Sequence, residues 1–224
     1  MTEGQKPTSK IVVLISGSGS NLQSIINACE ENNIDAQISA VISNKYNVKG
    51  LDRAAAANIP SIVIDHHAFE TRQAFDQYLA EVIIGFTPDL IILAGFMRIL
   101  TEEFVNQFVG KLINIHPSLL PAYPGLNTHQ RAIEAGDRTA GATVHFVTPE
   151  LDGGPSILRA QVAVLENDTS DALAARVLTI EHQIYPTVAQ WFCEGRISMN
   201  DGIVFFDGVQ IDKLGLLFTP QSEH

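Results

Sequence analysis

The stretch Ile11-Val12-Val13-Leu14-Ile15-Ser16-Gly17-Ser18-Gly19-Ser20-Asn21 decides the fold. Five unbroken apolar residues, mostly β-branched, read as a strand buried on both faces. The run ends in a glycine-rich turn, after which Leu22, Ile25, Ile26 and Cys29 fall at helical spacing. Ser20 and Gln23 match a capping box, which predicts a helix starting at Ser20.

Outward from this unit the alternation continues. Strands are expected at 38–42, 61–64, 90–94 and 111–116. Helices are expected at 51–57, in the segment ending near Phe86 (buried stripe Phe75, Leu79, Val82, Ile83), and at 101–108. The pattern predicts an α/β fold: a Rossmann-like, mostly parallel sheet with helices on both faces. Pro117 to Thr128, with prolines at 117, 121 and 124, reads as a long connection of little regular structure. Beyond it come antiparallel additions, with strands at 142–147 and 157–164. A long helix follows from about Asp168, which Pro186 should kink or divide. A C-terminal hairpin is expected at 203–206 and 209–211 around Asp207-Gly208. No repeat or interdomain linker breaks the chain, so 1–224 is read as one domain with 1–9 disordered.

Composition excludes several classes. With 46% hydrophobic and 17% charged residues the chain can bury a core and is not disordered. A net charge of −11 speaks against nucleic-acid binding and leaves any anionic ligand to local dipoles. The longest apolar run, Leu90 to Met97, is too short for a membrane span, and the N-terminus lacks a secretory core. Cys29 and Cys193 form no CxxC pair, and no histidine pair has metal-ligand spacing, so no metal is expected. A soluble cytoplasmic protein, monomer or homodimer, fits these features.

Three constellations can carry chemistry. The turn Gly17 to Asn21 lies between a strand and a helix, where outward N–H groups and the helix dipole suit a phosphate. It lacks the lysine of a Walker loop and the third glycine of a dinucleotide fingerprint. In Ile113-Asn114-Ile115-His116-Pro117 the strand period places Asn114 and His116 on one side, polar groups that need partners or a cleft. Asp152, in Leu151-Asp152-Gly153-Gly154-Pro155, can present a carboxylate to a nearby histidine. His145, in the preceding strand, can join such a site.

Read in order, Gly17 to Asn21, Ala94-Gly-Phe-Met-Arg-Ile-Leu100, Ile113-Asn-Ile-His-Pro-Ser-Leu-Leu-Pro121 and Leu151-Asp-Gly-Gly-Pro155 resemble the folate-dependent formyltransferase family, over about Lys10 to Phe206. The resemblance implies transfer of a formyl group from 10-formyltetrahydrofolate to the amine of glycinamide ribonucleotide in purine biosynthesis, with these small molecules as the only partners. By position it implies Asn114, His116 and Asp152 as catalytic residues, and Gly19, Ser20, Asn21 and Glu181 as ribonucleotide contacts. Arg72, Met97, Arg98, Ile99, Leu100, Asn114, Thr148, Pro149, Glu150, Leu151 and Asp152 would be folate contacts. Pro149 stands where an acidic residue is common. The phosphate-binding half would be about 10–110, the catalytic and folate-binding half about 111–212. In the mechanism so implied, Asn114 and protonated His116 donate to the oxyanion, and Asp152 keeps His116 charged and oriented. A tRNA formyltransferase or a formyltetrahydrofolate deformylase would share this triad but is expected to carry an additional domain. A nucleotide-binding sensor would have no use for the triad.

Overall fold

A computed structural model describes residues 8–219. The first half comprises β1 (Ser9–Ile15), α1 (Ser20–Glu30), β2 (Ala36–Ser43), α2 (Lys49–Ala56), β3 (Ser61–Val63), α3 (Arg72–Gly85), β4 (Leu90–Leu93), α4 (Glu102–Gln107) and β5 (Leu112–His116). A short 3-10 turn, His66–Ala68, stands between β3 and α3. The second half comprises α5 (Thr128–Glu134), β6 (Thr139–Phe146), β7 (Ser156–Ala163), α6 (Ser170–Cys193), β8 (Ile197–Asn200), β9 (Ile203–Phe206), β10 (Val209–Gln210) and β11 (Leu216–Leu217). Strand β1 begins at Ser9, inside the stretch expected to lack order, while residues 1–7 of that stretch lie outside the described residues.

Eight strands form one sheet in the order β11-β7-β6-β5-β4-β1-β2-β3. Pairings among β1 to β5 are parallel; β6 runs antiparallel to both β5 and β7. Side chains of β1 alternate between two cores. Ile11, Val13 and Ile15 pack with the buried faces of α1 and α6, and Val12 and Leu14 pack with those of α3 and α4. The unbroken apolar run is therefore a consequence of helices covering both faces. Chain order reverses between β1 and β4, so the carboxyl ends of these neighbours open the crevice in which such sheets bind ligands.

Several local expectations are corrected. Ser20 is the first helical residue and not a cap; Gly19 is the N-cap, left-handed at φ 67°, with no side-chain cap bond. A Cβ at Gly19 would stand 2.6 Å from the Gly50 Cα, so α2 packs against the turn too closely for a side chain there. Helix α6 runs through Pro186 without division. Leu173, Val177, Ile180 and Ile184 before the proline, and Val188 after it, are all buried. Packing along this face outweighs the lost hydrogen bond, a cost of about 3 kcal/mol. The loop after β5 ends at helix α5, which begins at Thr128 behind an Asn127 held at φ 58°. The closing hairpin gains a third strand, β8, on β9.

Tyr185 of α6 is fully buried, and its hydroxyl reaches the carbonyls of Leu93 (2.9 Å) and Ile113 (3.2 Å). Burial holds its pKa well above the usual phenol value, so it remains a neutral donor. It fixes α6 beneath the strands that carry the candidate catalytic residues.

Candidate active site

Strand β5 is short, and its last residues project the expected pair. Asn114 lies opposite His145 of β6, and His116 opposite Thr143. His145 is buried, and its Nδ1 is 2.9 Å from the Phe146 carbonyl oxygen. That contact assigns the proton to Nδ1 and leaves Nε2 as an acceptor, 3.3 Å from the Asn114 Nδ2. Burial lowers the His145 pKa to about 4, partly offset by the Phe146 carbonyl and the Asp152 carboxylate. The ring is thus a neutral holder for the Asn114 amide.

Asp152 sits in a tight turn, left-handed at φ 52°, which aspartate tolerates. Its neighbour Gly154 lies against the Phe146 carbonyl, where a Cβ would overlap the oxygen. The turn folds the carboxylate back over β5: Oδ2 is 3.4 Å from His116 Nδ1, both side chains being more than nine-tenths buried. The carboxylate oxygen also accepts the Gly125 N–H at 2.8 Å. The other nitrogen of the His116 ring, Nε2, donates to the Tyr123 carbonyl at 2.8 Å. Both ring nitrogens therefore have partners within the chain. The loop carrying Tyr123 and Gly125 must yield, or the ring turn, before Nε2 faces a substrate. Asn114 is half-exposed and already presents its amide at the cleft.

The turn Gly17 to Asn21 lies at the carboxyl end of β1. In α1 the Gln23 N–H bonds the Gly19 carbonyl, leaving the amides of Ser20, Asn21 and Leu22 ahead of the first helical bond. Asn21 and Glu181, 160 residues apart, are joined by a 2.7 Å bond from Nδ2 to Oε2. Burial raises the Glu181 pKa against the lowering effect of that bond. The Asn21 Oδ1 is buried without a partner, an acceptor free for a ligand hydroxyl. Beside Ser20 a groove of about 410 Å³ is lined by Gln23, Asn27, Arg53 and His182.

The third group follows β4. Ser16 donates to Asn44 Oδ1 at 2.6 Å and accepts the Met97 N–H at 2.8 Å, tying the segment 97–100 to the end of β1. Arg98 stacks on Phe75 at 4.4 Å, and Asp76 accepts the Thr101 N–H at 2.6 Å. Met97 and Ile99 are exposed while Leu100 is buried. Thr148, Pro149, Glu150 and Leu151 form the turn leading to Asp152, and the Leu151 side chain is exposed. Arg72 is the exposed first residue of α3; among the described residues no hydrogen bond joins it to the others.

Tyr123 and Gly125 carry no sequence signal, because they act through backbone atoms. His145 has a faint one: it alternates with Thr143 on a strand whose residues between Ala140 and Phe146 are otherwise apolar.

The Formyl transferase family model matches residues 9–189. A phosphoribosylglycinamide formyltransferase of Escherichia coli (strain K12) is 51% identical over 205 residues, covering 92% of this chain and 97% of the relative. The structure of the phosphoribosylglycinamide formyltransferase of Coxiella burnetii, in complex with CHES, superposes with a TM-score of 0.91 at 47% identity, over 94% of this chain and 99% of that one. The glycinamide ribonucleotide transformylase 1 of Symbiobacterium toebii gives a TM-score of 0.87 at 44% identity, over 90% and 95%.

Proposed function

The chain belongs to the formyl transferase family, and from that premise we propose that it moves a formyl group from 10-formyltetrahydrofolate to the amine of glycinamide ribonucleotide. The observation that carries this reading is the convergence of Asn114, His116 and Asp152 at the carboxyl end of β5, beside an open helix N-terminus at the end of β1.

In this reading the free amine attacks the formyl carbon, and the carbonyl electrons move onto oxygen. The Asn114 amide donates to that oxygen, having been oriented by His145 before substrate arrives. As the intermediate collapses, the bond from carbon to the folate nitrogen breaks. The proton lost by the amine is returned to that nitrogen through His116 or a bound water. Asp152 Oδ2, 3.4 Å from Nδ1, balances the ring while it carries the proton. The ribonucleotide phosphate is assigned to the amides of Ser20 and Asn21 with Gly19 allowing close approach, and its ribose to Glu181. The folate is assigned to Arg72, to segment 97–100 and to the turn 148–152. No step requires a metal. The whole of 1–224 is taken as one unit, acting in the cytoplasm on small molecules as monomer or homodimer. No helix among the described residues is long and apolar enough to cross a membrane.

The test is acceptor dependence. Purified protein mixed with 10-formyltetrahydrofolate is expected to release tetrahydrofolate only when glycinamide ribonucleotide is present. Equal release without it would replace this reading by a deformylase.

A further inference from the structure

Between β3 and α3 the chain runs Asp65-His66-His67, on a 3-10 turn shortly before Arg72, and none of these three residues is assigned to formyl transfer. One donor atom from each of the three side chains lies within 4.8 Å of the other two. The imidazoles do not diverge as neighbouring side chains on a helix ordinarily do: their centroids are 4.0 Å apart and their planes 35° from parallel. We propose that Asp65, His66 and His67 form a binding site for a borderline divalent cation of the zinc class.

The donor set suits that class. Two imidazoles and one carboxylate are ligands for Zn²⁺, Ni²⁺ or Cu²⁺, whereas Mg²⁺ and Ca²⁺ take oxygen ligands alone. A tetrahedral ion with bonds near 2.0–2.1 Å holds its ligand atoms about 3.3 Å apart. The set is therefore open by roughly 1.5 Å at most, a gap that small rotations of half-exposed and exposed side chains close. The remaining positions are left to water, since these three residues offer only three ligands.

The turn is also held in place from outside, the feature that separates a metal site from a chance cluster. His66 Nδ1 faces the Asn44 carbonyl at 3.1 Å, which fixes the ring and leaves the other nitrogen its lone pair in the tautomer with the proton on Nδ1. Asn44 is itself buried and bound to Ser16 at 2.6 Å, so the support belongs to the core of the crevice. The His66 ring meets Phe75 edge-on at 6.5 Å. Asp65 caps the turn by accepting the His67 N–H at 3.0 Å, which sets its carboxylate beside the rings. A surface of net charge −11 further favours a cation.

The full-length protein, stripped with chelator and freed of any tag, is titrated with Zn²⁺ by calorimetry, with Mg²⁺ as the reference. Wild-type protein is expected to take up Zn²⁺ at a site that His66→Ala and His67→Ala each weaken at least tenfold, while Mg²⁺ shows no binding there. Formyl transfer by the two variants should match wild type, which shows that they fold. Cu²⁺ bound at the same site should give an electron paramagnetic resonance spectrum with nitrogen couplings from two imidazoles, reduced to one in either variant. Unchanged Zn²⁺ affinity in both variants, or equal affinity for Mg²⁺, overturns the proposal.

Discussion

Asn114 and His116 could be read as a pair from the strand period alone, since residues two apart in β5 share a face. What holds them could not, because it depends on which strand lies alongside and in which register. The antiparallel pairing of β5 with β6 brings His145 opposite Asn114, and the hydrogen bond between them needs a neutral ring. Burial lowers the His145 pKa to about 4, against about 6.5 in an unfolded chain. Between these values the unfolded chain binds the extra proton. The stabilisation is therefore complete above about pH 6.5 and lost as pH falls toward 4, by roughly 3 kcal/mol in all. Urea unfolding between pH 4 and 7 should show this limb, and His145→Asn should flatten it. Identical slopes for the two proteins would mean that His145 is not held neutral. Catalysis gives a separate check on the same contact. Asn114→Ala should lower kcat about 10²- to 10³-fold with the fold intact, on the scale of one lost oxyanion donor. Near-normal turnover would remove Asn114 from the mechanism.

At the scale of elements, the strands and the helices α1, α3 and α6 were legible because each carries a buried stripe of regular period. Pro186 misled because a local rule was set against about five buried residues of one face, and tertiary packing won. Helix α5 escaped notice because it is seven residues long with only Thr128 and Ala132 buried, too little for a period. The entry into α6 is fixed by Asp168, which takes the Arg176 guanidinium through two bonds of 2.7 and 2.9 Å and the Leu165 N–H at 2.8 Å. The Arg176 bonds above all, then the Leu165 N–H, lower the Asp168 pKa to about 2. A lowered carboxyl contributes stability above its unfolded value of about 3.9 and loses it as pH falls toward 2. Asp168→Asn should therefore melt below wild type at pH 7, and the difference should shrink as pH falls from about 4 and vanish below about pH 2. Thermal unfolding monitored across that range decides it, and a constant gap at all pH values would contradict the assignment.

For the whole molecule, strand order decides where the chemistry collects. Reversal of strand order between the parallel neighbours β1 and β4 sets the turn 17–21, segment 97–100 and the end of β5 at one crevice. Asn21 and Glu181 meet there although 160 residues separate them. Sequence motifs could name these pieces, but only the order β5-β4-β1-β2 places them side by side. The folate and the ribonucleotide are assigned to different groups in one crevice of one cooperative sheet, so each ligand should stabilise the entire chain by mass action. At about 100 times its Kd a ligand adds roughly 2.7 kcal/mol, a rise in Tm of roughly 5–10 °C for a chain of this size. Ser20→Asp places a carboxylate among the amides assigned to the phosphate. The variant should lose the shift given by glycinamide ribonucleotide and keep the shift given by a non-reactive folate analogue. Loss of the folate shift alone would place the phosphate elsewhere, and loss of both would show that the two subsites cannot be perturbed separately.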